Sequence, residues 1–269
     1  MKLMGNFRRP RAKTTDGVRL YAIGDIHGCF DLLVELLQRI ESDGQSRPAA
    51  ETRLILLGDY VDRGPKSAQV CELLHSMRGA SRVLCLRGNH DMALVEAVGG
   101  SRESLRFWLQ YGGADTLESW GIDPALAEQA QMRESAEGEL IEAMQRKIPG
   151  DMLEWLGTLP TFYSVGDYLF VHAGIRPKVR LEEQSDDDLM WIREPFLSSR
   201  VRHPQMVIHG HSEGEEPQVR PNRIGIDTAA YRTGVLTAIG IEEGEHWFVQ
   251  TGRGRSATIL AGSGPRLPL

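Results

Sequence analysis

Cysteine is scarce in this 269-residue chain: only Cys29, Cys71 and Cys85 occur, and no two form a Cys-x-x-Cys pair. An odd count at such spacings argues against a disulfide framework, and a reducing cytoplasm is the expected compartment. Long apolar runs are missing as well. Nothing approaches the roughly 18 consecutive apolar residues of a membrane span. The basic start, Met1 to Gly17, has no apolar stretch behind it, so no secretory signal is expected. Positive charge is in deficit, 31 Lys and Arg against 37 Asp and Glu for a net charge of −6, which weighs against nucleic acid as the main partner. What is present is ordinary for a globular protein, 41% hydrophobic and 25% charged residues, with enough chain to build a core without staples.

The first hundred residues repeat one grammar: a short apolar run, a turn rich in Gly, Asp and His, then a helical pattern. Arg19 to Ile23 reads as a buried strand ending in Gly24-Asp25-Ile26-His27-Gly28, after which Leu32, Leu33, Leu36, Leu37 and Ile40 recur at helical spacing. Leu54 to Leu57 breaks at Gly58-Asp59-Tyr60-Val61-Asp62-Arg63-Gly64 and continues as a helix through Val70, Leu73, Leu74 and Met77. Val83 to Leu86 leads to Arg87-Gly88-Asn89-His90-Asp91 and a short helix. Strand, loop and helix in three rounds mean βαβ crossovers and a largely parallel sheet, whose ligands gather at the carboxyl ends of the strands. Residues 101–159 turn helical and read as an insertion within one domain spanning residues 1–269, with a core over about 18–250. Strands resume at Tyr168 to Val171, Met206 to Ile208, Arg223 to Ile226, Val235 to Ile239 and His246 to Val249, before a loose tail over 252–269.

The polar clusters fall at those strand ends. Asp25 and His27, Asp59 with Asp62 and Arg63, Asn89 and His90, His172, and His209 with His211 together offer carboxylate and amide oxygens and imidazole nitrogens, with no thiolate. A mixed oxygen and nitrogen set of this kind suits manganese, iron or zinc. Alone, each Asp could be a helix cap and each Gly a turn former. Those roles are compatible with ligation, and one isolated Asp-x-His would be weak evidence. Five clusters at successive strand ends are strong evidence.

The motifs Gly24-Asp25-Ile26-His27-Gly28, Gly58 to Gly64, Gly88-Asn89-His90-Asp91, Val171-His172-Ala173-Gly174 and Gly210-His211 occur in order. On these residues the chain resembles the calcineurin-like metallophosphoesterases, and within them the phosphoprotein phosphatase branch with its bacterial and phage-type serine/threonine phosphatases. The resemblance implies an α/β fold, a four-layer αββα sandwich, with two divalent metal ions, manganese first and iron or zinc as alternatives. It implies Asp25, His27 and Asp59 as ligands of the first ion and Asp59, Asn89, His172 and His211 as ligands of the second. Two cations sharing a carboxylate about 3.5–4 Å apart can clamp attacking and leaving oxygens, and a water shared between them becomes the nucleophile. Arg63 and Arg193 match the family's phosphate-binding arginines, His90 its proton donor and Asp62 the carboxylate that orients it.

Two departures stand out. Asp91 replaces the Glu usual in that branch, as it does in diadenosine tetraphosphatases, and Glu213 occupies the second His position of the wider superfamily's Gly-His-x-His ending. His209 lies outside the matched ligand position and reads as a hydrogen-bond partner behind the ligands. Arg193 could instead form an ion pair with Glu194, and Trp155, Trp191 and Trp247 read as core. The leading expectation is a phosphomonoesterase acting on phosphoserine or phosphothreonine, favoured by the acid at Asp62, with no nucleic-acid or membrane partner. The alternative is a symmetrical diadenosine tetraphosphatase-like pyrophosphohydrolase acting on a small phosphorylated substrate. A more remote one is a binding module that keeps the metals without catalysis.

Overall fold

The computed structural model describes residues 12–252. The chain runs β1 (Val18–Ile23), α1 (Phe30–Gln45), β2 (Glu51–Leu56), α2 (Ser67–Ser76), β3 (Val83–Cys85) and α3 (Asn89–Val98). Five helices follow: α4 (Arg102–Gln110), α5 (Gly113–Ser119), α6 (Pro124–Met132), α7 (Glu134–Lys147) and α8 (Gly150–Thr158). Then come β4 (Phe162–Val165), β5 (Tyr168–Val171), α9 (Asp186–Trp191), β6 (Met206–His209), β7 (Gln218–Val219) and β8 (Arg223–Gly225). The short α10 (Ala230–Thr233), β9 (Thr237–Glu242) and β10 (Glu245–Gln250) complete it.

Strand periodicity builds the layers. Successive side chains of a strand point to opposite faces, and β1 is buried on both. Tyr21 and Ile23 pack against α1, α2 and the helices beyond them, whereas Leu20 and Ala22 face a second sheet. In β5, Tyr168 and Phe170 meet Leu20, Ile55 and Ile239 across the gap, while Leu169 and Val171 face Leu189, Ile192 and Phe196 on the far side. Helices, sheet, sheet and helix thus stack in four layers. The first sheet has the order β10-β9-β1-β2-β3 and the second β4-β5-β6-β8-β7. Each keeps three parallel strands, β1-β2-β3 and β5-β6-β8, flanked by antiparallel ones.

Two details correct the sequence reading. The strand expected at Val235 begins at Thr237, because Gly234 turns left-handed at φ 70° and the Leu236 N–H bonds to Thr251 Oγ1. The half-exposed edge strand β4 was not anticipated, since only every other residue of Phe162-Tyr163-Ser164-Val165 leans inward. The acidic run after Glu182 ends in α9, whose first turn holds Asp186, Asp187 and Asp188 and whose N-cap is Ser185. Apart from Gly252, the expected tail lies outside the described residues. No helix among the described residues is long and apolar enough to cross a membrane.

Candidate active site

The carboxyl ends of β1, β2, β3, β5 and β6 meet at one edge of the facing sheets, and the loops leaving them carry the polar clusters. Several of these loop residues hold a backbone that L-residues rarely adopt: His27 (φ 46°), Asp59 (54°), Asp62 (74°), Arg63 (67°) and His211 (58°) are all left-handed. Such strain persists only where the surroundings over-determine it, and it concentrates at functional sites. Gly210 is required by close approach, because a Cβ there would collide with Asp25 Oδ1.

The structure brings the sequence-predicted residues together. Asp25, His27, Asp59, Arg63, Asn89, His90, Arg193 and His211 line one cleft of about 190 Å³, with His172 and Asp62 fully buried behind it. Asp59 Oδ2 lies 3.6 Å from His27 Nε2 and 3.4 Å from His172 Nε2, so one carboxylate faces imidazoles on both sides. Asn89 Oδ1 lies 2.8 Å from His172 Nε2 and 2.9 Å from His211 Nδ1. Two compact groups result, His27–Asp59–His90 and Asp59–His172–His211. Asp25 is not in the first of them. Its carboxylate is turned to the His211 N–H, which it accepts at 3.0 and 3.1 Å.

The donor set fits cations on the protein's own geometry. His27 Nδ1 bonds the Val61 carbonyl at 2.8 Å and His172 Nδ1 the Leu57 carbonyl at 2.9 Å, which holds each ring by its Nδ1–H and directs each Nε2 toward Asp59. His211 Nε2 is buried without a hydrogen-bond partner. Burial, then the charges of Asp227 and Asp59, push the Asp25 carboxyl well above its ordinary range, and burial pushes Asp227 up to about 6. Burial alone would lower His172, but Asp59 and Asp25 outweigh it and raise the imidazole to about 10. Burial lowers His27 to about 3. Buried carboxylates crowded in this way need positive charge among them.

Beside this cluster stands a second unit. His90 Nδ1 bonds Asp62 Oδ2 at 2.7 Å, and Asp62 Oδ1 accepts from Trp108 Nε1 at 2.9 Å and Thr116 Oγ1 at 2.7 Å. His90 Nε2 is left toward the cleft, 3.4 Å from Arg63 Nη2. Glu213 accepts from Arg63 Nη1 at 2.5 Å, Tyr231 Oη at 3.0 Å and Arg232 Nη2 at 3.1 Å, so it fixes an arginine at the cleft mouth. Arg193 is not paired to Glu194, whose carboxylate accepts from Ser198; its Nη2 reaches the His211 carbonyl at 3.5 Å.

Other contributions escaped the sequence. Asp91 accepts the N–H groups of Asp59 (2.8 Å), Tyr60 (2.9 Å) and Gly88 (3.0 Å) and thereby clamps two site loops together. In the sequence Asp91 stands out only as the residue shared with diadenosine tetraphosphatases in place of Glu, which does not reveal this clamp. Trp108 and Thr116 reach Asp62 from helices in which no role was readable. Trp191 is 37% exposed on the cleft wall and not core. His209 Nδ1 turns to the Gly210 carbonyl at 3.0 Å, and its Nε2 is buried without a hydrogen-bond partner. Cys29 is half-buried and burial pushes its thiol up to about 11, which leaves it unreactive.

A family model described as calcineurin-like phosphoesterase matches residues 18–232, and the chain belongs to that family. It is 36% identical over 159 residues to a protein of Dechloromonas aromatica named bis(5'-nucleosyl)-tetraphosphatase, symmetrical, an alignment covering 59% of this chain and 44% of that protein. A protein of the same name from Aromatoleum aromaticum is 31% identical over 193 residues, covering 72% and 53%. The chain thus spans about half the length of these two curated relatives. A third of that name, from Vibrio cholerae, is 29% identical over 275 residues, covering 86% of this chain and 97% of that protein. Among solved structures, one provisionally assigned as a diadenosine tetraphosphatase has a TM-score of 0.62 at 22% identity, covering 91% of this chain and all of that one. A yeast serine/threonine phosphatase has a TM-score of 0.54 at 14% identity, covering 91% and 83%. These two likenesses concern the fold alone.

The relatives overturn the leading functional expectation. All three are named for tetraphosphate hydrolysis, so the reading as a serine/threonine protein phosphatase gives way to its stated alternative. The error lay in using Asp62 as the discriminator. An acid that orients His90 serves any phosphoryl transfer and carries no information about what the phosphorus is attached to.

Proposed function

We propose that the chain is a metal-dependent pyrophosphohydrolase that splits dinucleoside tetraphosphates symmetrically into two nucleoside diphosphates. The carrying observation is a shared carboxylate, Asp59, flanked by His27 and His172, with the Asp62–His90 pair and two arginines around the same cleft. The names of the aligned relatives support the choice of substrate.

In this reading Asp25, His27, Asp59, Asn89, His172 and His211 hold two divalent cations, manganese first. Cations there supply charge neutralisation to the phosphoryl oxygens and make water a better nucleophile near neutral pH. The chain's own residues do the rest. Arg63, braced by Glu213, and Arg193 across the cleft grip phosphate oxygens with planar forks that stay charged. His90 donates from Nε2 to the departing diphosphate while Asp62, bonded to Nδ1, holds the ring in place. Asp91 keeps the Asp59 and Asn89 loops in register by accepting three backbone N–H groups.

The test is product analysis with diadenosine tetraphosphate and a phosphoserine peptide on manganese-loaded protein. The expected result is ADP as sole product at a rate well above peptide dephosphorylation. Formation of AMP with ATP, or faster release of phosphate from the peptide, would overturn the reading.

A further inference from the structure

A second cavity of about 510 Å³ adjoins the cleft and shares Asn89, Phe107 and Trp191 with it. Its volume is in the range of small-molecule sites. Its character differs from that of the cleft. Arg63 and Arg193 line the first space, whereas the second has no basic side chain and includes Glu96, Glu103 and Asp187. The wall between them is aromatic. Phe107 meets Trp191 edge to face, with centroids 5.2 Å apart at 72°, and Tyr111 at 4.5 Å. Trp191 is 37% exposed and Tyr111 46%, an unusual display for side chains that normally bury most of their area.

We propose that this second cavity is a nucleoside subsite in which Trp191, buttressed by Phe107, stacks on one base of the dinucleotide; the proposal rests on the tetraphosphatase reading. The charge distribution chooses the occupant. Both spaces carry three carboxylates, Asp25, Asp59 and Asp227 in the cleft and Glu96, Glu103 and Asp187 in the second cavity. Only the cleft sets two arginines and the candidate cation ligands against them, so the anionic part of a nucleotide belongs in the cleft and its uncharged end beyond the aromatic wall. Ribose hydroxyls and an exocyclic amine are hydrogen-bond donors, and the carboxylates of Glu103 and Asp187 are acceptors in the matching place. The indole centroid lies 6.3 Å from the His211 ring, which puts a stacked base beside the ligand cluster while its phosphates reach into it. Stacking is tolerant of base identity, because every base offers a π face. The subsite should therefore accept adenine and guanine alike.

The test is equilibrium binding of ADP and of inorganic pyrophosphate to manganese-loaded protein by calorimetry, in the wild type, Trp191→Ala and Trp191→Phe. The wild type should bind ADP more tightly than pyrophosphate. Trp191→Ala should weaken ADP by about 10-fold or more, the scale of one lost stacking contact, and change pyrophosphate far less. Trp191→Phe should retain most of the preference. Equal affinities in the wild type, or parallel losses for both ligands in Trp191→Ala, would overturn the subsite. The two readings fail separately. Clean ADP formation from diadenosine tetraphosphate without an ADP preference sinks the subsite alone, whereas a Trp191-dependent preference without hydrolysis sinks the activity alone.

Discussion

Replacing Asp62 by Asn separates catalysis from folding at the proposed donor unit. The Asp62 side chain is fully buried and takes hydrogen bonds from His90 Nδ1, Trp108 Nε1 and Thr116 Oγ1. Asn can keep its oxygen on Trp108 and Thr116, but it then sets an amide N–H against His90 Nδ1, where a carboxylate had accepted. The imidazole must invert its tautomer or lose the bond. A hydrogen bond to a charged group contributes about 1.5–3 kcal/mol, or roughly 10- to 150-fold if all of it is felt in the transition state. Positioned acid-base groups as a class contribute about 10²- to 10⁴-fold. Turnover of diadenosine tetraphosphate should therefore fall about 10²-fold. Folding should respond differently. Burial raises the Asp62 carboxyl above its ordinary value, so a charge at that spot is costly to the folded state. Removing it offsets most of the lost bond, and the melting temperature should move by no more than about 3 °C. Steady-state kinetics and calorimetry on one preparation decide the matter. Wild-type turnover, or a collapse of activity and melting together, would refute the reasoning.

Chelation should lower stability as well as activity, because Asp25, Asp59 and Asp227 are buried around one centre. At a free metal concentration about 100 times Kd, binding contributes about 2.7 kcal/mol, which for a chain of this size is a melting shift of about 5–10 °C. Calorimetry before and after chelation and manganese add-back would show it; identical melts would count against a resident metal pair. Far from the cleft, Asp43 accepts from Tyr21 Oη (2.5 Å), Trp247 Nε1 (2.9 Å) and Arg47 (2.9 and 3.0 Å). Burial alone would raise its carboxyl, but the hydrogen bonds from Arg47, Tyr21 and Trp247 outweigh it and depress the value. A depressed folded value gives stability that is present above the unfolded value of about 3.9 and lost as pH falls through the folded one. Asp43→Asn should hence destabilise at pH near 7, with the gap to wild type closing as the pH falls below about 4. A gap of constant size across that range would show that Asp43 acts through packing and not charge.

The convergence of the candidate metal ligands was legible because each cluster follows an apolar run short enough to be a strand. Asp25 after Ile23, Asp59 after Leu57 and His172 after Val171 are local signals, and parallel strands bring their carboxyl ends to one edge without further instruction. The partners of those residues were not local. Trp108 and Thr116 stand 46 and 54 positions from Asp62. Helical periodicity reveals that Trp108 is buried, not which acceptor its indole N–H finds. A signal did exist: a fully buried Trp must bond its Nε1–H, and a chain with a buried motif carboxylate offers an obvious place for it. Strand boundaries slipped for a similar reason, since Val235 and Leu236 are apolar but are spoken for by the turn at Gly234 and by Thr251.

Substrate choice was only faintly legible, for a deeper cause. Phosphoryl transfer from a monoester and from a pyrophosphate asks the same of the groups around the phosphorus, namely charge, alignment and a proton for the departing oxygen. In the proposed function Asp59, His90 and Arg63 answer that demand either way, and among the motifs only Asp91, standing where the phosphatase branch usually has Glu, leans toward the tetraphosphatases. What differs is the body attached to the phosphate, and that body meets the walls. Here the walls are Phe107 and Tyr111 at α4 and Trp191 and Asp187 in α9, brought together from segments about 80 residues apart. In sequence these positions carry helical patterning and an acidic cap. Their meaning as a surface arises only when two helices from different layers face each other across the ends of two sheets.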